Sequence, residues 1–167
     1  HMSVHPALIP SMSLLGSLDG AYNGTEIEDE YGVIIGLTAP GAGVYPTADA
    51  IIKDLLDIAE GRPLPMPGSA NPLVLGSCDD AERYFYLRFS VLNQPGVLAN
   101  ICNIFWKFNI NLAAVIQKEA VGNDFVPVVM TTYAARESDL QAAVAEVDRM
   151  DFAKAPTRII RILKADT

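Results

Sequence analysis

The chain has 167 residues, half of them hydrophobic, with 12 Lys and Arg against 20 Asp and Glu and a formal net charge of −8. That composition suits one medium domain or two small ones with a packed core, and it excludes global disorder. The acidic balance excludes a general role on nucleic acid or an anionic membrane, both of which need clustered Lys and Arg, and no apolar run reaches the roughly 18 residues of a membrane span. Two cysteines, Cys78 and Cys102, make no disulfide framework, and with no leader in view the cytoplasm is the expected compartment. Cys102 falls within a helical apolar pattern and reads as a buried structural thiol. His1-Met2 reads as a scar of tag cleavage, which leaves open that the chain is a fragment of something longer.

In chain order, strands are expected near Ala21–Ile27 and Tyr31–Leu37, with the acidic run Glu28 to Glu30 as the turn between them. A glycine-rich turn follows, Ala39-Pro40-Gly41-Ala42-Gly43. A helix comes next, with Thr47 as N-cap after Pro46, Asp49 at its positive end and Gly61 as its C-terminal stop. Ile51, Ile52, Leu55, Leu56, Ile58 and Ala59 give that helix a broad apolar stripe. One helix and two strands in about sixty residues bury too little surface to stand alone, so this half is expected to pack against something else or against a second copy. From residue 62 to 82 the chain reads as a linker, because Pro63, Pro65, Pro67 and Pro72 forbid a helix.

Beyond the linker, Phe85, Leu87, Phe89 and Val91 alternate with Tyr84, Tyr86, Arg88 and Ser90 as in a half-buried strand. Val97, Leu98, Ile101, Ile104, Phe105 and Phe108 recur at helical spacing until Asn109-Ile110-Asn111 breaks the pattern. Leu112–Gln117 is a second strand, Gly122-Asn123-Asp124 a turn, and Phe125–Tyr133 a third strand in which Pro127 argues for an edge or an end. A helix starting at Ser138 and Asp139 turns Leu140, Ala143, Val144, Val147 and Met150 inward. After Pro156 a last strand, Thr157–Leu163, completes the order βαββαβ, the ferredoxin-like arrangement of an antiparallel sheet with two helices on one face.

The turn Asn93-Gln94-Pro95-Gly96-Val97-Leu98 is the first candidate site. Pro95 suits a first helical turn, Gly96 removes a side chain where a ligand or a backbone approaches, and the free N–H groups of a helix start can hold a carboxylate. The Asn93 side chain can accept from an ammonium, and Gln117, at the end of the second strand, can both donate and accept. An ordinary capped turn and a solvated strand end account for the same residues. Gly41-Ala42-Gly43 ahead of a helix is a weak phosphate-cradle signal, lacking the full dinucleotide fingerprint. No metal-ligand spacing surrounds His1 or His5, no catalytic triad can be assembled, and no pair of carboxylates is marked out as acid and base.

Two separate stretches resemble one family. Tyr84 to about Leu163, with Pro95-Gly96-Val97-Leu98-Ala99 and the Asn111–Glu119 strand ending Val-Ile-Gln-Lys-Glu, resembles an ACT domain, the small amino-acid-binding regulatory module. The first half resembles the end of the catalytic region of homoserine dehydrogenases, on Val4-His5-Pro6-Ala7-Leu8-Ile9-Pro10, Leu18-Asp19-Gly20-Ala21-Tyr22-Asn23 and Gly41-Ala42-Gly43-Val44-Tyr45-Pro46-Thr47-Ala48-Asp49-Ala50. The resemblance implies an α+β chain: a partial catalytic-region segment at 3–61, a linker at 62–82, and a ferredoxin-like ACT domain at 83–165.

It further implies that the parent protein is an NAD(P)-dependent oxidoreductase interconverting homoserine and aspartate 4-semialdehyde. The Rossmann domain, the acidic substrate residues and the catalytic lysine of that family have no counterpart in these residues, so the chain alone is expected to hold no cofactor and to be inactive. Gly41, Ala42 and Gly43 become remnants of the cofactor site. Asn93, Gln94, Gly96, Val97, Leu98, Asn111 and Gln117 become the effector site, with L-threonine or another small amino acid as ligand and ACT domains paired in a homo-oligomer. Many ACT turns carry Asp where this chain has Asn93, which removes a negative charge facing the ligand's ammonium. A stand-alone ACT sensor and a pure dimerisation module are the other readings.

Overall fold

The computed structural model describes residues 1–62, 74–117 and 125–164. Its elements run β1 (Ala7–Leu8), β2 (Tyr22–Glu28), β3 (Ile34–Pro40), α1 (Val44–Ala59), β4 (Glu82–Leu92), α2 (Val97–Lys107), β5 (Leu112–Gln117), β6 (Phe125–Thr132), β7 (Ala135–Arg136), α3 (Glu137–Val147) and β8 (Ala153–Ile162). They fall into two compact units, Ile9–Val74 and His1–Leu8 with Leu75–Thr167.

In the larger unit the alternation of β4 works as expected. Phe85, Leu87, Phe89 and Val91 are at most 1 % exposed and meet Val126, Val128 and Met130 of β6, Ile101, Ile104 and Phe105 of α2, and Leu140, Ala143, Val144 and Val147 of α3 in one core. The sheet order β1-β8-β4-β6-β5 is the ferredoxin-like order with one short strand added at the β8 edge. Pro127 sits opposite Ser90, just past Gln117↔Val128, the last described pair between β5 and β6, where its missing N–H breaks no described bond between these two strands. At the centre of the core Phe105 stands edge-on to Phe89, centroids 6.1 Å apart and planes at 83°. Phe105→Ala is expected to lower the unfolding free energy of this unit by about 3–5 kcal/mol, since it removes a fully buried ring and leaves a cavity; the urea midpoint followed by circular dichroism checks it.

Several boundaries and burials differ from the sequence expectation. β8 begins at Ala153, so Pro156 lies inside it; the strand tolerates it because the β4–β8 ladder is irregular there. α3 begins at Glu137 rather than Ser138, and Glu137 is buried. Cys102 is half-buried rather than buried. The turn at Gly122-Asn123-Asp124, Lys118 to Glu119, and the proline-rich part of the linker at 63–73 lie outside the described residues. β1, which local periodicity does not reveal, pairs in parallel with β8 through Ala7↔Arg161 and Leu8↔Ile162.

Glu137 is the polar centre of this unit. Arg161 donates to both its carboxylate oxygens, at 2.6 and 2.9 Å, and Gln141 donates to Oε1 at 3.1 Å. Arg83 Nε stands 3.9 Å away and has no hydrogen-bond partner of its own among the described residues. The Arg83 guanidinium turns to the first residues of the chain, 3.1 Å from His5 Nε2 and 3.4 Å from Ser3 Oγ. Burial works to raise the Glu137 pKa, but hydrogen bonds from Arg161 and Gln141 and the charges of both arginines outweigh it and hold the carboxyl below its usual value.

The smaller unit is a hairpin and a helix. β2 and β3 pair antiparallel from Tyr22↔Pro40 to Glu28↔Ile34. Glu28 therefore belongs to the strand, and the turn that was expected at Glu28 to Glu30 spans Asp29 to Val33, where Asp29 Oδ1 accepts from the N–H of Tyr31 and of Val33. The helix starts at Val44, with Gly43 at its N-cap, so Thr47 is not the cap. Thr47 sits in the first turn and donates its hydroxyl to the Gly43 carbonyl at 2.8 Å. Asp49 pairs with Lys53 one turn on, at 2.6 Å. Gly61 ends the helix as expected, with φ +65° and its N–H on the Ile58 carbonyl. Ile51, Ile52, Leu55, Leu56 and Ile58 of α1 are 54–75 % exposed, the uncovered stripe expected of a half that buries too little.

Candidate functional site

β4 delivers the chain to the start of α2 through Asn93 to Gly96. Gly96 takes φ 89°, ψ −18°, the left-handed region that suits glycine, and is the N-cap of the helix with no side-chain cap. The Val97 N–H reaches only the Gln94 carbonyl, at 3.4 Å, and the first intrahelical bond runs from Asn100 N–H to Gly96 O, at 2.9 Å. The N–H groups of Leu98 and Ala99 thus have no backbone acceptor among the described residues. A hollow of about 200 Å³ opens at this point, lined by Val91, Leu92, Gln94, Pro95, Gly96, Val97, Leu98, Gln117 and Val128.

Gln117 comes to this hollow because its register partner is Val128, so its side chain stands on the helix face of the sheet. Its Nε2 donates to Asn93 Oδ1 at 3.4 Å, tying the end of β5 to the turn. The residues brought together are thus Asn93, Gln94, Gly96, Val97, Leu98 and Gln117, with Asn93 beside the hollow rather than in its lining. The chemistry is simple: backbone N–H donors for an oxyanion, a neutral amide pair for polar groups, and apolar walls from Val91, Val97, Leu98 and Val128 for a short aliphatic side chain.

Asn111 is not brought to this turn of its own chain. It precedes β5 at the opposite end, roughly 20 Å away along the strand, and lines a separate hollow with Cys102, Trp106, Asn109, Ile110 and Leu112. Gly41, Ala42 and Gly43 lie in the other unit. Because β3 continues to Pro40 rather than stopping at Leu37, they form a strand–turn–helix connection leading into α1. The Asn23 side chain fills the place a Cβ on Gly41 would take, and Gly41 N–H is spent on the Ala21 carbonyl at 2.8 Å. The turn lies at an exposed helix start, and Pro40 to Val44 carry no charged side chain. Among the described residues no group of three or more His, Cys, Asp or Glu could hold a metal ion, and no helix is long and apolar enough to cross a membrane. Sequence reasoning missed Glu137, whose burial has no local signature.

Residues 85–151 match the ACT domain family and residues 1–56 match the homoserine dehydrogenase family. The homoserine dehydrogenase of Neisseria gonorrhoeae is 28 % identical over 96 % of the chain and 39 % of its own length. That of Pseudomonas aeruginosa is 29 % identical over 96 % of the chain and 40 % of its own length. A crystal structure of a homoserine dehydrogenase from Thiobacillus denitrificans superposes with a TM-score of 0.79 and 27 % identity, covering 96 % of this chain and 38 % of that one. The chain spans about two fifths of the length of the relatives it matches.

Proposed function

Because the chain belongs to the homoserine dehydrogenase family, carrying the end of the catalytic region followed by an ACT domain, we propose that it is the feedback-regulatory portion of such an enzyme and binds L-threonine at the start of α2. The parent enzyme would interconvert L-homoserine and L-aspartate 4-semialdehyde with NAD(P), with Gly41 to Gly43 as one wall of the cofactor site. The observation that carries the effector reading is the uncapped helix start at Gly96, opening into a hollow sized for a small molecule beside Gln117. The ligand carboxylate takes the Leu98 and Ala99 N–H groups, its ammonium faces the Asn93 amide oxygen, and its side chain lies among Val91, Val97 and Val128.

The site is completed by a second copy. Among the described residues β5 is the last strand of the sheet, is mostly exposed and has no strand on its outer edge, which leaves that edge open to pairing. Two β5 edges pairing antiparallel about a two-fold axis bring the beginning of one strand against the end of the other. The partner subunit's Asn111 then comes close to Gln117, although Asn111 is far from Gln117 in its own chain. A threonine that couples this interface to the parent active site needs a differential affinity of only about 1–3 kcal/mol between active and inhibited states.

Titration calorimetry of the 167-residue chain with L-threonine tests the reading. Saturable binding to a dimer is expected, weakened by roughly three- to tenfold in Asn111→Ala through the loss of one polar contact beside Gln117. A dimer that gives neither heat nor thermal shift at millimolar threonine selects the pure dimerisation module and sinks the proposal. The chain by itself is expected to give no NAD(P)H oxidation with aspartate 4-semialdehyde; turnover above background would overturn that part.

A further inference from the structure

The face of the sheet turned away from the helices carries a second, differently built hollow. In the β4–β8 ladder Arg88 stands directly opposite Arg158, both exposed. Like charges at such a pair repel, and among the described residues neither guanidinium forms an ion pair. Next to this pair the ladder breaks twice. Ser90 pairs with Ala155, so Pro156 and Thr157 stand against Phe89 alone; Val91 then pairs with Ala153, which leaves Lys154 as an extra residue. The first break is held from the helix side, where Asp148 at the end of α3 accepts the Thr157 N–H at 3.1 Å and its hydroxyl at 2.5 Å.

These breaks open a hollow of about 310 Å³ lined by Arg88, Ser90, Phe125, Pro127, Pro156 and Arg158, among others. Lys154 leans over one wall, its Nζ 4.1 Å from the centre of the Phe125 ring. Three of the 12 basic residues of a chain with net charge −8 therefore gather around one notch without a carboxylate partner among the described residues. We propose that this notch is a binding site for a phosphate-bearing small molecule. Two guanidinium forks on adjacent strands match the oxygens of one phosphate, as single ammonium groups do not. The Ser90 hydroxyl adds a donor, and the floor of Phe125, Pro127 and Pro156 suits a compact organic part. The site is separate from the threonine hollow: Ser90 lines one and Val91 the other, on opposite faces of β4.

The test uses the whole chain in a phosphate-free buffer, with inorganic phosphate and glycerol 3-phosphate as probes in calorimetry and thermal shift. Saturable binding of at least one probe and a rise in melting temperature are expected, both abolished in Arg88→Gln/Arg158→Gln and both retained in Arg149→Ala, which changes an exposed arginine outside the notch. Without ligand the double variant should melt no lower than the parent chain, because a repulsion has been removed. Tighter binding of glycerol 3-phosphate than of phosphate assigns the floor to the organic part; equal binding assigns the site to the phosphate group alone. Absence of saturable binding at millimolar probe, or equal binding by the double variant, overturns the proposal.

Discussion

Glu137→Ala lowers the unfolding free energy of the C-terminal unit by about 3–5 kcal/mol, the penalty of leaving buried charge without its partner. The carboxylate is 5 % exposed, and the two guanidiniums it faces are 26 % and 15 % exposed, so little solvent is at hand to replace it. Removing it leaves Arg161 and Arg83 as like charges around an empty centre. Arg83 also reaches Ser3 and His5, so amide exchange along β1 and along the edge of β8, where Leu163 N–H bonds Leu8 O at 2.8 Å, should quicken in the variant. The conservative Glu137→Gln keeps the shape and separates charge from packing. Its pH dependence has a definite sign: the Glu137 carboxyl is held below its usual value in the folded chain. Its contribution is therefore fully present above the unfolded carboxyl value of about 4.3 and is lost as pH falls through the lower folded value. The difference in urea midpoint between the parent chain and Glu137→Gln should be constant from neutral pH to about 5 and should shrink below about 4. A difference that stays constant through that acid range would sink the charge argument.

Gly96→Val is expected to lower threonine affinity by at least about tenfold while leaving the C-terminal unit folded. At φ 89° a side chain is strained by about 1–2 kcal/mol, and a β-branched one more than most. Among the described residues, nothing beyond the adjoining backbone and its chain neighbours lies within 4 Å of a Cβ built at this position, so the strain is in the backbone rather than in packing. The helix start can relieve it only by turning, and that moves the Leu98 and Ala99 N–H groups on which the ligand carboxylate would sit. Gly96→Asn, which accepts left-handed backbone more readily, should recover most of the melting temperature. Calorimetry and melting measured on both variants separate the effects. Unchanged threonine affinity in Gly96→Val would place the effector elsewhere.

Local chemistry by itself determined a good deal of this protein. The period of β4, the apolar stripe of α2, the stop at Gly61 and the Pro95–Gly96 turn each depend on residues within a few positions of one another. The order βαββαβ and the Asn93–Leu98 part of the candidate site follow from them, as does the uncovered stripe of α1. Where local cues are ambiguous the boundaries differ by a few residues: Thr47 has the chemistry of a cap, but Gly43 caps the helix, and Pro156 looks like a strand stop, yet the bulged strand runs through it.

Only the tertiary structure decided which distant groups meet. Glu137 is an ordinary acidic residue at a helix start until β4 and β8 bring Arg83 and Arg161 beside it. Ala7 and Leu8 are too short a pattern to read as a strand until the edge of β8 supplies their hydrogen bonds. Asn111 and Gln117 are six residues apart in the chain, but an extended strand carries them to opposite ends of one element. Whether Arg88 faces a carboxylate or another arginine is a matter of register, and register is set by pairing between strands more than sixty residues apart, which no local pattern encodes.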